Sequence, residues 1–339
     1  MKLLPTVFLL LLVFLALDDA RVEARGTPRA RGSRHQWSSM FVFGDDFVDN
    51  GNLVWRSCSN RTLLQLPDAI RFYRKDVGPP SYEQTSDQSC DSSGMTFAVG
   101  GAGVFKVAAN KVRTLAAQVQ AFKRLVNDGV IETRQLHHSV ALIAISGNDY
   151  MSGSDANNGF YSSFDDLDTY MGNVVTEILD NVAQLQTLGV RKVLVNNMHP
   201  IGCTPLQTSS NNYTTCDLLG NYGASVHNKY LKQMIGERDN VHILDLYTAF
   251  TDIVNHAPGE GSDRSKDFKR KLTPCCESSY KGGYCGKLSS SGKHLYDLCQ
   301  NPDKRFYWDE THPTHAGWEA VMEALEQPLM EFLDQDYVR

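Results

Sequence analysis

Beyond its first residues the chain has no apolar stretch approaching about 18 residues, the length a bilayer-crossing helix needs, so no stable membrane insertion is expected of its body. It also lacks a basic surplus. Its 33 Lys and Arg against 39 Asp and Glu leave a net charge of −6, which argues against a nucleic-acid partner. Its 8 cysteines include no C-x2-C pair of the zinc-ribbon kind, and neither a metal nor a cofactor is expected. The cluster Gly100-Gly101-Ala102-Gly103 lacks the G-x-G-x-x-G spacing of a dinucleotide-binding turn.

What is present starts with a leader. Lys2, an apolar stretch from Leu3 to Leu17 and then Val22-Glu23-Ala24 read as a signal peptide over residues 1–24. Arg25, Arg29, Arg31 and Arg34 follow in a basic arm at 25–38 that reads as disordered, and a single domain is expected over 39–335. An even cysteine count behind a leader favours disulfides and a secreted protein. Cys203 and Cys216 flank a short polar loop and are expected to pair, and Cys275 and Cys276 are expected to pair with Cys285 and Cys299 in one order or the other. Asn60-Arg61-Thr62 and Asn212-Tyr213-Thr214 are sequons, so N-glycans are expected at Asn60 and Asn212.

The body alternates strand and helix. Met40 to Phe43 is an apolar run that breaks at Gly44 into Asp45 and Asp46, as a buried strand does when it reaches the rim of a sheet. Ser139 to Ile145 is a second such run, ending in Ser146-Gly147-Asn148-Asp149, and strands are also expected at Val190 to Val195 and Val241 to Leu246. Helical periodicity marks a helix from Leu115 with Thr114 as N-cap and Gly129 as its stop. It also marks Phe164 to Leu188, Leu218 to Ile235, and a last helix through Trp318, Leu325 and Phe332 that Pro328 is expected to bend. This alternation implies a parallel sheet with helices on both faces.

Four segments resemble, in order, the blocks of the plant branch of the GDSL-type (SGNH) ester hydrolases. The first, Phe41-Val42-Phe43-Gly44-Asp45-Asp46-Phe47-Val48-Asp49-Asn50-Gly51-Asn52, is similar to F-V-F-G-D-S followed by Phe or Leu and x-D-x-G-N, with Asp46 where the family pattern has its nucleophilic serine. Thr96-Phe97-Ala98-Val99-Gly100-Gly101-Ala102 resembles N-F-A-x-G-G-A, with Thr96 in place of asparagine. Gly147-Asn148-Asp149 lies in the third block and Asp309-Glu310-Thr311-His312-Pro313-Thr314 matches the last, D-x-x-H-P-T. Pro200-Ile201-Gly202-Cys203-Thr204-Pro205 is similar to a further stretch of the plant branch.

The resemblance implies a flavodoxin-like three-layer α/β/α sandwich with a mostly parallel sheet. It implies that Gly101 and Asn148 form the oxyanion hole, that His312 is the general base and that Asp309 orients it. The neighbouring His199 is read as structural. The expected function is that of a secreted carboxylic-ester hydrolase, in the cell wall or apoplast, acting on acyl or acetyl esters of lipid or polysaccharide and impaired by Asp46. Two alternatives stand beside it: a non-catalytic ligand-binding relative, and a hydrolase with Asp46 as nucleophile, for which epoxide-like or halide substrates suit a carboxylate better than esters. Asp45, Asp46 and Asp49 also spell D-D-x-x-D, a Mg²⁺–diphosphate motif of terpene-forming enzymes, but those carry it on all-α folds. If the fold is kept, His312 lies between two carboxylates and should hold its proton more tightly than a free histidine.

Overall fold

The computed structural model describes residues 37–52, 78–85, 90–107, 111–151, 164–236, 238–280 and 283–335. The leader at 1–24, the arginines of the basic arm, Cys58, the sequon at Asn60 and most of the loop after Asn52 lie outside these residues. Ser38, which the sequence sets at the end of the arm, already donates its backbone N–H to His138 O at 2.8 Å.

Five strands build the central sheet: β1 (Ser39–Gly44), β2 (Gly94–Thr96), β3 (Ser139–Ala144), β4 (Lys192–Asn196) and β5 (Val241–Leu244). All neighbours pair parallel, in the order β2-β1-β3-β4-β5. That is the flavodoxin-like order, and the crevice at its β1/β3 switch point is where such sheets hold ligands. The near-continuous apolar runs follow from burial on both faces. On one face Phe41, Phe43, Ala141, Ile143, Val193 and Val195 pack under helices, and on the other Val42, Val140, Leu142, Ala144, Leu194 and Leu244 do the same. The expected three-layer sandwich is the fold of this chain.

Helices α1 (Leu115–Asn127), α2 (Phe164–Thr187) and α3 (Leu218–Ile235) cover the first face. Helices α4 (Leu246–Val254) and α5 (His315–Asp334) cover the second. Four of these starts have a local cause among the described residues. Thr114, Asp217, Asp245 and Thr314 each accept a backbone N–H of the first turn on their side-chain oxygen, the N-cap contact the sequence anticipates at Thr114. Pro328 lies inside α5, which continues through it to Asp334.

Aromatic rings fix the packing beneath the site. Phe43 stacks on Phe97 at 5.3 Å between centroids, and Phe122 of α1 meets Phe41, Phe43 and Phe97 at 4.8, 5.5 and 5.8 Å. Burying each such ring contributes about 1.5–3 kcal/mol. Gly44 ends β1 at a close approach: a Cβ there would lie 1.9 Å from Ala144 O, and its φ of +137° suits glycine alone. Its N–H and C=O both engage the buried Gln118 side chain, each at 2.8 Å, where the strand gives way to Asp45.

A small antiparallel pair, β6 (Cys276–Ser278) and β7 (Tyr296–Leu298), stands apart from the sheet. It is stapled by Cys275–Cys299 and Cys276–Cys285, which settles the order the sequence leaves open, and Cys203–Cys216 pairs as expected. The stapled segment supports the site. Cys275 N–H and Cys276 N–H donate to Tyr307 O and Trp308 O, at 3.0 and 2.6 Å, directly before Asp309. Non-reducing peptide mapping, with fragmentation between Cys275 and Cys276, is expected to return these three links, and a Cys275–Cys285 link would contradict the arrangement. Replacing Cys203 and Cys216 together by serine should cost about 2–4 kcal/mol in denaturant unfolding. Among the described residues no helix is long and apolar enough to cross a membrane.

Candidate active site

The carboxyl ends of β1, β2 and β3 each deliver one chain segment to the switch-point crevice. Asp45 to Asp49 form a helical turn after β1, with Val48 N–H and Asp49 N–H donating to Asp45 O at 3.1 and 2.9 Å. Gly100 and Gly101 follow β2, and Gly101 adopts a φ of +75° that exposes its N–H to the crevice. Asn148 opens a short helix after β3. The loop before α5 brings Asp309 and His312 from the other side, with Trp308 N–H donating to His312 O at 2.7 Å to close that turn.

All five residues singled out from sequence meet there. Asp46 is the centre of the arrangement. Its Oδ1 accepts the Gly101 N–H at 3.1 Å and the Asn148 side-chain N–H at 2.8 Å. Its Oδ2 lies 2.7 Å from His312 Nε2. The other ring nitrogen, Nδ1, lies 2.8 and 3.0 Å from the two Asp309 oxygens. Asp309 is fixed in turn by the backbone N–H groups of Thr311 and His312, at 3.0 and 2.9 Å.

Ionised carboxylates only accept hydrogen bonds, so a histidine with a carboxylate on each nitrogen is satisfied when both nitrogens carry protons. The electrostatics agree. Burial works against the charged imidazole, but Asp309 first and Asp46 second hold the His312 pKa well above its ordinary value. Burial likewise works against the Asp46 carboxylate, and His312, Asn148 and Gly101 together keep its pKa far below the usual range. Asp309 is also lowered, burial being outweighed by His312 and the two backbone donors. Geometry and electrostatics together favour an imidazolium between two carboxylates.

Asp45 is the residue that sequence reading leaves at the rim, and it turns inward instead. Its Oδ2 accepts from Ser146 N and Oγ at 2.6 and 2.8 Å and lies 3.3 Å from the Asn148 amide nitrogen. That nitrogen also donates to Ala102 O at 2.9 Å, so three acceptors hold the amide against the crevice. Burial and the neighbouring Asp46 charge push the Asp45 pKa well up. Asp149 is a second buried organiser, accepting Val104 N–H and Phe105 N–H at 2.8 Å each. Asp49 is a third, accepting from Gly51, Asn52 and Gly100 at 2.9, 2.7 and 2.8 Å. The three carboxylates of the D-D-x-x-D spelling are thus each engaged by protein donors, at the carboxyl end of the interior strand β1. The only sequence signal for these roles is that each acid sits inside a block beside a site residue.

His199 is buried and lies between Phe47 and Phe250, at 5.1 and 5.3 Å between centroids. Burial and the His312 charge push its pKa down to about 3, which makes it a weak base and agrees with its structural reading. Phe47 packs edge-on against Trp318 at 5.1 Å and reaches toward His312 at 6.1 Å, so the imidazole has an aromatic wall. A contact the sequence does not announce joins Tyr150 OH to His227 Nδ1 of α3 at 2.6 Å, two residues from Asn148.

Comparison with known proteins fits this geometry. The family model described as GDSL-like Lipase/Acylhydrolase matches residues 40–325. GDSL esterase/lipase At5g03610 of Arabidopsis thaliana is 30% identical over 353 residues, covering 95% of this chain and 96% of that protein. GDSL esterase/lipase At3g09930 of the same plant is 28% identical over 343 residues, covering 93% and 94%. A third, At2g36325, is 31% identical over 317 residues, covering 85% and 86%. The matched span begins within β1 and ends inside α5, taking in every segment that reaches the crevice, and the chain belongs to the GDSL-like lipase/acylhydrolase family.

Proposed function

We propose that this chain is a secreted member of its family in which Asp46 occupies the nucleophile position and impairs ester hydrolysis, while the crevice is kept for acyl, lipid or polysaccharide ester ligands. The observation that carries the reading is the double engagement of Asp46: one oxygen sits on the Gly101 and Asn148 donors and the other on His312. Serine-type ester hydrolysis needs those two donors free for the substrate's oxyanion and the histidine free to take a proton. Asp46 supplies a permanent anion to the first and a counter-charge to the second. Both requirements fail through one side chain.

The magnitude supports impairment. Loss of the nucleophilic serine in a well-studied protease costs on the order of 10⁶ in turnover. Attack on an ordinary ester by the Asp46 carboxylate would give an anhydride, a less stable product than the acyl ester a serine forms. Secretion is favoured by the leader and by the disulfides, which persist in oxidising compartments. Asn212 is exposed at a turn and is available for a glycan, with Asn60 as the second acceptor.

The test is hydrolysis of p-nitrophenyl butyrate by the purified protein. Turnover close to the uncatalysed rate, unchanged in His312→Ala, is expected. Robust turnover abolished by His312→Ala would end the reading.

A further inference from the structure

Asp46 does more than block the site. Its Oδ1 already rests on the two oxyanion donors, 3.1 Å from Gly101 N and 2.8 Å from Asn148 Nδ2. Its Oδ2 lies beside His312, and its side chain keeps 22% of its surface open to the crevice. If Oδ2 were alkylated, Oδ1 would become the carbonyl oxygen of an ester already seated in an oxyanion hole, next to a histidine. These are the parts needed to hydrolyse an ester of Asp46 itself.

We propose that Asp46 is the nucleophile in hydrolysis of an alkyl halide, with His312 as the base of the second step. The proposal rests on the same placement of Asp46 at the nucleophile position and goes beyond impaired esterase activity. In the first step Asp46 Oδ2 attacks the carbon that bears the halogen. A C–O bond forms, the carbon–halogen bond breaks, and the halide leaves with the electron pair. Asp46 loses its charge, so one of the two carboxylates that hold the His312 proton is gone, and that proton passes to solvent.

In the second step His312 Nε2 takes a proton from water as the water oxygen attacks Cγ of Asp46. The negative charge develops on Oδ1, toward Gly101 N–H and Asn148. Collapse breaks the Cγ–Oδ2 bond. The alcohol leaves with a proton, and the carboxylate returns. Halide and water become alcohol, halide ion and a proton, with no oxidant or reductant consumed.

The geometry separates halides from the other alkylating class a carboxylate suits. His312, the acid that touches Oδ2, lies on the side from which attack begins. Back-side opening of an epoxide sends the ring oxygen to the opposite side, away from that proton. A halide leaves as a stable anion and needs none. Asp309, bonded to Nδ1 and remote from Oδ2, is a positioning residue here.

The experiment uses 1-bromobutane with the full-length protein. Bromide release is expected to fall by at least about a hundredfold in Asp46→Asn, as for loss of a nucleophile. In water enriched in oxygen-18, repeated turnover of the wild-type protein should place the label in the Asp46 peptide. His312→Gln should accumulate a butyl group on that peptide, while the oxygen-18 result stands without it should the variant fail to fold. Absence of both bromide release and label in the folded wild-type protein would overturn the proposal, as would label confined to the alcohol. p-Nitrophenyl butyrate turnover is read separately. Its appearance would end the impaired-esterase reading, and an unlabelled Asp46 would leave that reading intact.

Discussion

Asp46→Ser is expected to raise kcat/KM on p-nitrophenyl butyrate by at least about a hundredfold over the parent, although the full 10⁶ associated with a triad serine should not return. The gain comes from three changes made by one substitution. Serine brings a nucleophile whose ester attack gives an acyl ester. It withdraws the anion from Gly101 N–H and Asn148 Nδ2, opening the crevice side of both donors to the substrate oxygen. It also removes one of the two carboxylates that hold the His312 proton, leaving Asp309 to orient a more easily deprotonated ring.

The ceiling is set by reach. A serine oxygen stops one bond short of the aspartate oxygen that now lies 2.7 Å from His312 Nε2, so the new hydrogen bond is long until the ring moves. A misplacement of about 1 Å can cost on the order of a hundredfold. Steady-state kinetics together with phosphonate labelling at position 46 would measure the outcome. No gain in a variant that unfolds like the parent would show that the lesion lies elsewhere in the crevice.

How far the sequence speaks can be judged residue by residue. The strands at Ser39–Gly44 and Ser139–Ala144 were legible because burial on both faces leaves an unbroken apolar run. Helix α3 was legible from its periodicity, and its ends at Leu218 and Ile235 are set by the Asp217 cap and by Gly236. Asp46, Gly101, Asn148, Asp309 and His312 were found through blocks, in the segments that follow β1, β2 and β3 and in the loop before α5. Other features were not legible. The inward turn of Asp45 depends on Ser146, about a hundred positions away, and no local pattern carries that. Helix α4 follows β5 with only Asp245 between them, so a strand expected to reach Leu246 ran into the helix start. The β6–β7 pair holds three-residue strands whose shape is set by two disulfides, and cysteine spacing does not give connectivity.

Asp46→Asn should lower the His312 pKa and destabilise the protein more at pH 6 than at pH 9. The amide oxygen of asparagine can stay on Gly101 N–H and Asn148, so the crevice side of the residue is conserved. Its NH₂ group then faces His312 Nε2 and can donate to it, which favours a neutral imidazole with a proton only on the Asp309 side. The groups that act on His312 are Asp309 and Asp46 in direct contact, the Thr311 hydroxyl 3.2 Å from Nδ1, and the buried His199 across Phe47. Removing the Asp46 charge leaves Asp309 as the direct carboxylate partner.

The sign follows from the two directions of shift. A histidine whose folded pKa is raised contributes stability that is full below about pH 6.5 and is lost as pH rises through the folded value. The depressed Asp46 carboxylate contributes stability above about pH 3.9 that is lost as pH falls through its folded value. The pair therefore acts between those limits, and pH 6 lies inside the window. Each unit by which Asp46→Asn lowers the His312 pKa should cost about 1.4 kcal/mol at pH 6, with less remaining at pH 9. NMR titration of the His312 ring and urea unfolding at the two pH values would read both quantities. An unchanged His312 midpoint, or an equal loss of stability at pH 6 and pH 9, would mean that Asp46 and His312 do not share a proton-linked ion pair.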